Sequence, residues 1–220
     1  MKVTLSFDNG PTETTRDVLD VLAQREIRAS FFVVGTQLAE PGMRRYTERA
    51  AEEGHWIGNH TLTHTVQFGD SADPDLPHRE IGSAQELIGD LAHRDKLFRP
   101  FGGGGILDGR LLSAPAIDYL QNHAYTCVLW NCIPHDWDRP DDWVEACLTD
   151  IATRPWSLVV IHDLPTGAMT HLPRFLDALE SLGADVAQDF PESCVPVRNG
   201  VARGSLDHLS TPKAVSRGPE

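Results

Sequence analysis

His60 and His64 are separated by Thr61-Leu62-Thr63. On a helical turn that spacing puts two imidazoles on one face, within reach of one metal ion. Alone the pair is a weak signal, because solvated helix histidines share the spacing. Its weight comes from other residues at the ends of apolar runs: Asp8 and Asn9, Arg99, Asp136 and His162. A carboxylate, a guanidinium and imidazoles gathered around a cation are the parts needed to activate water and move protons during hydrolysis.

The elements that must position them follow from periodicity. Residues 3–7 alternate apolar and polar side chains and read as a strand closed by Asp8-Asn9-Gly10-Pro11. Thr14 or Thr15 is placed to cap a helix carrying Val18, Leu19, Leu22 and Ile27. Residues 29–34 form an apolar run, as in a strand buried on both faces. A short strand precedes His60, and another ends at Arg99-Pro100-Phe101. Residues 110–122 read as a helix interrupted near Pro115, 125–130 as a strand, and 156–161 as the most apolar strand, ending at His162-Asp163. Pro140 suits the first turn of a helix bearing Val144, Cys147, Leu148 and Ile151. Leu172, Phe175, Leu176 and Leu179 mark the last helix. Short strands near 185–187 and 194–197 complete the domain.

Strands alternating with helices imply a parallel sheet. Seven or eight strands in this length favour a compact, irregular (β/α)7-8 barrel over the full eightfold form. In such folds ligands bind at the carboxyl ends of the strands, where the candidates above collect.

Bulk properties narrow the function. The 220-residue chain carries a formal charge of −13, which repels phosphate backbones and excludes nucleic acid as a natural partner. No window is apolar enough to span a membrane. Cys127, Cys132, Cys147 and Cys194 form no Cys-x-x-Cys pair and fit a reducing compartment. With no leader pattern at the start, the expectation is a cytoplasmic protein. Residues 1–198 read as one catalytic domain and 199–220, rich in Gly, Ser, Pro and charge, as a flexible tail.

Five stretches together bring a family into view. The chain resembles the polysaccharide deacetylases, carbohydrate esterase family 4, with their NodB-homology domain. The family's Phe-Asp-Asp-Gly-Pro motif reads here Phe7-Asp8-Asn9-Gly10-Pro11. Its His-Ser/Thr-x-x-His motif matches His60 to His64, and its arginine motif matches Arg99-Pro100-Phe101-Gly102, one residue short. Asp136-Trp137 matches its Asp-Trp motif, with Ile133 where an acid is usual, and Leu158 to Asp163 matches its closing motif loosely. All five stand in family order.

The resemblance implies a hydrolase of non-peptide carbon–nitrogen bonds that removes an N-acetyl group from an amino sugar, in an oligosaccharide or a related small amide. It implies Asp8 as general base held by Arg99, and His60 and His64 as ligands of a divalent metal such as Zn2+. Phe101 and Gly102 would supply the oxyanion and substrate contacts with Trp137. His162 would be the acid that protonates the leaving amine, oriented by Asp136. The family's third metal ligand is an aspartate, here Asn9. An amide oxygen can ligate but brings no charge. Three arrangements follow: a metal on His60, His64 and waters, a metal that Asn9 also ligates, or no metal. The last suits a metal-independent hydrolase of a small cyclic amide or ureide. An inactive carbohydrate-binding relative is a further alternative.

Plainer readings accompany these roles. Asp8 and Asp136 could cap helices, Arg99 could be a surface ion pair, and His162 a satisfied strand-end histidine. The glycine run 102–105 invites a phosphate cradle, but no Lys-Ser or Lys-Thr follows it. Trp130 and Trp143 read as core. Specificity is expected in loops 65–78 and 102–109, the first as a rim over the site.

Overall fold

The computed structural model describes residues 1–210. β1 (Lys2–Asp8) lies at its centre. On one side it pairs in parallel with β2 (Ser30–Val33), then β3 (Trp56–Asn59), β4 (Leu97–Phe98) and β5 (Thr126–Cys127). On the other side it pairs with β6 (Trp156–His162), in a register that sets Asp8 beside His162. β7 (Asp185–Val186) joins the start of β1. Beyond β5 the chain returns to β6 through a parallel bridge between Cys132 and Val159, so the sheet curls into an irregular barrel. This is the expected fold class.

Alternation along β1 divides the molecule. Val3, Leu5 and Phe7 pack outward against Val18, Leu19 and Leu22 of α1 (Glu13–Gln24) and Phe175 and Leu176 of α7 (Leu172–Ser181). Thr4, Ser6 and Asp8 take the opposite, inner face. The other α-helices among the described residues are α2 (Gly35–Ala39), α3 (Arg44–Glu52), α4 (Ser83–Ile88), α5 (Ala114–Asn122) and α6 (Trp143–Ile151).

Several expectations are corrected. The cap of α1 is Thr12, whose side chain accepts the Thr14 N–H while its own N–H donates to Thr15 Oγ1. Pro115 starts α5 rather than interrupting it, because Ser113 caps that helix and proline needs no donor there. The strand expected over 125–130 is hydrogen-bonded as strand only at β5, because the following residues bend toward β6.

Loop 65–78 folds inward. Phe68 is fully buried with Leu76 in a cluster containing Phe98, Leu111 and Trp130, so no rim over the cavity forms there. Residues 199–210 are not a free tail. β8 (Val197–Arg198) lies antiparallel to β5 and carries β9 (Val201–Ala202) as a hairpin, turning through Asn199 and Gly200 at positive φ. Leu209 then buries in the core and its carbonyl accepts the Leu112 N–H. Residues 211–220 of the expected tail lie outside the described residues.

Candidate active site

The carboxyl ends of β1, β3, β4 and β6 bring the dispersed candidates to one rim. Asp8, the last residue of β1, is 3% exposed, and Arg99, just past β4, is wholly buried. Arg99 Nη1 donates to Asp8 Oδ1 at 2.6 Å and to Ser6 Oγ at 2.8 Å. Its other donors reach the carbonyls of Val128 and Leu129, and its plane lies 3.9 Å from the Phe32 ring centroid. Burial pushes the Arg99 pKa down, against the Asp8 charge and hydrogen bond that raise it. This is no surface ion pair. Removing one member of such a pair costs about 3–5 kcal/mol, because the other is left buried and alone.

The two histidines meet without a helix. After β3 the chain bends through Thr61 at φ 69° and His64 at φ 55°. Asn59 Oδ1 accepts the Thr61 N–H and Thr61 Oγ1 accepts the His64 N–H. Glu80, itself buried, accepts the N–H groups of Leu62 and Thr63 and the Thr63 hydroxyl. This loop holds the rings at 4.6 Å between centroids, and His64 packs on Phe101. His60 Nδ1 donates to the Arg99 carbonyl at 2.8 Å, which leaves Nε2 as a lone pair. Nε2 lies 3.5 Å from Asp8 Oδ2. Burial lowers His60 to about 3 and, with the neighbouring His60, lowers His64 to about 3, so both rings are neutral.

Across the cavity stands the opposite arrangement. His162 Nδ1 lies 2.8 Å from Asp136 Oδ1, and Asp136 Oδ2 accepts the His162 backbone N–H at 2.8 Å. Asp136 is fully buried and caps no helix. Burial lowers the His162 pKa, but the hydrogen bond and charge of Asp136 outweigh it and the net shift is upward. The edge of Trp137 flanks the ring at 4.7 Å.

These groups line one cavity of about 240 Å3, with Asp8, Asn9, His60, His64 and His162 on its polar side. Phe101, Gly102 and Trp137 also line it, while Arg99 and Asp136 stand behind their partners. Among the described residues the Phe101 N–H donates to no protein acceptor. Trp130, Ile133, Val160 and Leu164 complete an apolar wall that sequence reasoning missed. Alternation in β6 from His162 back to Val160 was the available signal for Val160.

The glycine run is part of this wall. A Cβ on Gly102 would come within 2.6 Å of the Trp130 ring, and one on Gly105, at φ 75°, within 2.6 Å of Ile133. Trp130 Nε1 donates to the Gly105 carbonyl at 2.9 Å and pins the run down. Two more residues were given no role from the sequence, although Asp163 stands in the closing motif. Glu80 shapes the histidine loop, and Asp163, 1% exposed, is raised to about 6 by burial, against a hydrogen bond from Thr15 that lowers it.

A divalent metal can be tested against these donors. Among the described residues no three His, Cys, Asp or Glu side chains form a ligand group, because Asn9 stands where a third acid would be. The Asn9 Oδ1 atom is buried without a hydrogen-bond partner and lines the cavity beside the two neutral imidazoles. An orphaned amide oxygen and two imidazole lone pairs fit a metal of the zinc class.

The chain is similar to several known proteins. A family model for polysaccharide deacetylase matches residues 1–128. A chitooligosaccharide deacetylase of Rhizobium leguminosarum bv. trifolii is 33% identical over 165 residues, covering 72% of this chain and 70% of its own. A peptidoglycan-N-acetylglucosamine deacetylase of Bacillus cereus is 31% identical over 166 residues, covering 73% and 72%. The solved Bc1960 peptidoglycan N-acetylglucosamine deacetylase superposes with a TM-score of 0.69 at 28% identity, over 84% of this chain and 85% of that one.

Proposed function

The chain belongs to the polysaccharide deacetylase family, and we propose that its cavity hydrolyses the N-acetyl amide of an amino sugar in an oligosaccharide. The observation that carries this reading is the pair of facing arms, Asp8 with Arg99 and His162 with Asp136, on either side of one cavity. Amide hydrolysis needs a base for the incoming water and an acid for the departing amine. Asp8 takes the proton from water, and Arg99 fixes the carboxylate for that transfer. The unpaired Phe101 N–H donates to the oxygen of the tetrahedral intermediate. His162, its Nδ1 held by Asp136, delivers a proton to the amine nitrogen from Nε2. His60, His64 and Asn9 would hold a divalent metal, with Zn2+ the proposed ion, which supplies Lewis acidity and lowers the pKa of water. The apolar wall excludes bulk water, and Trp137 offers a face for a sugar ring.

The four free, buried cysteines support a reducing, cytoplasmic setting. Among the described residues no helix is long and apolar enough to cross a membrane. The reading is tested by acetate release from chitooligosaccharides; a wild-type enzyme inert on these and on peptidoglycan fragments would overturn it.

Two results are expected within this reading. Asn9→Asp adds a charged donor and should tighten Zn2+ binding by about tenfold or more in calorimetric titration, since ligand charge tunes affinity. Asp136→Asn removes the group that raises His162. A general acid works only below its own pKa, so activity is lost as pH rises through that value. Without Asp136 the alkaline limb of kcat should therefore move to lower pH, with kcat at neutral pH falling by about tenfold to a hundredfold. An alkaline limb that stays in place would remove His162 as the acid.

A further inference from the structure

The mechanism leaves one buried acid unused. Asp163 follows His162, and its Oδ1 has no hydrogen-bond partner among the described residues. β1 and β6 run in parallel with Asp8 beside His162, so Asn9 and Asp163 leave the sheet side by side. Asn9 then turns through φ 74°, a left-handed conformation that a non-glycine residue keeps only when its surroundings enforce it. The turn is gripped from two sides. On the β2 side the Gly10 carbonyl accepts the Val34 N–H at 2.9 Å. On the β6 side the Asp163 carboxylate packs against Gly10 so closely that a Cβ there would collide with both oxygens. The space it shares with Gly10, Pro11, Thr15 and Thr47 has no room for a water, so this contact is direct. The Thr15 hydroxyl donates to Asp163 Oδ2 and the Thr12 hydroxyl to the Asp163 carbonyl, which ties the carboxylate to the first turn of α1 and the backbone to its cap.

We infer that Asp163 is a positioning residue that holds the turn after β1, and through it aims Asp8 and the orphaned Asn9 oxygen into the cavity. The inference rests on the reading above of Asp8 as base and Asn9 as donor. One strand end thus serves both arms: His162 faces the substrate, and Asp163 braces the opposite arm from behind. The role needs an acceptor of this shape at this place, which an amide also provides.

The test compares Asp163→Ala and Asp163→Asn in the full-length protein, with Co2+ titrated calorimetrically and acetate release measured per folded molecule. Asp163→Ala should weaken Co2+ binding by about tenfold to a hundredfold, the usual cost of losing a group that orients a ligand. It should lower kcat by about tenfold or more while KM stays within about twofold, the signature of a misplaced reacting group. Asp163→Asn should stay within about threefold of wild type in each quantity, as a retained hydrogen-bond acceptor predicts. An alanine variant that binds Co2+ and turns over like wild type overturns the inference, and so does an asparagine variant as impaired as alanine. Should Asp163→Ala not fold, Thr15→Val removes the hydrogen bond donated to Asp163 together with the one accepted from the Thr12 N–H, and must shift Co2+ affinity and kcat in the same direction, whereas Thr15→Ser keeps both bonds and must not; no shift in Thr15→Val overturns the proposal. If wild type releases no acetate from any sugar, the functional reading falls, and the Co2+ arm alone decides the role of Asp163.

Discussion

Asp8→Asn is expected to lower kcat/KM for acetate release by about a thousandfold, within the range a positioned general base contributes. The amide keeps an oxygen for Arg99, so the buried guanidinium retains a partner and the protein stays folded. Its nitrogen cannot take a proton from water. The loss should therefore fall on kcat, with KM changed by no more than about threefold, because the carboxylate acts in the transition state and not in ground-state binding. Arg99→Met is the complementary variant. It strands Asp8 inside the barrel and should lower stability by about 3–5 kcal/mol, read as a fall in the denaturation midpoint. A rate within tenfold of wild type for Asp8→Asn would sink its assignment as the base.

Removal of metal is the second large effect. Dialysis against a chelator should reduce activity by about a hundredfold to a thousandfold, since Lewis-acid assistance supplies several kcal/mol of barrier lowering. Stoichiometric Zn2+ should restore it. The same titration should raise the melting temperature, because a ligand that binds only the folded state stabilises it by mass action. His60→Ala should be inert to added metal, as it loses the imidazole whose Nε2 the Arg99 carbonyl keeps free. Full activity after chelation would instead favour metal-independent hydrolysis.

The sequence revealed the site's members more reliably than it revealed what aims them. Asp8, Arg99, His60 and His162 were legible because each closes an apolar strand, and strand ends of a parallel barrel share a rim. The mechanism that joins His60 to His64 was not legible. The spacing fits one face of a helical turn and leaves helix and loop both open; the rings meet through two left-handed residues and a carboxylate sixteen positions further on, Glu80. A long-range side-chain bond to backbone leaves no periodic trace. Trp130 illustrates a related limit. Its apolarity fits core or cavity equally, and only the bend toward β6 turns it to the pocket. Composition misled most at residues 199–210, where Gly, Ser and charge masked a hairpin that starts at the buried Val197 and a following segment anchored by the buried Leu209.

That hairpin has a practical consequence. The outer backbone of β5 would otherwise be an unsatisfied ladder of amides and carbonyls, the kind of template on which chains stack into aggregates. β8 covers it and β9 covers β8 in turn. A version of the protein shortened at residue 196, before β8, would expose that ladder and take away Leu209's plug, and should precipitate on purification whatever the health of its catalytic rim. Affinity handles and fusion partners therefore belong after residue 210, where the chain has already sealed its own border.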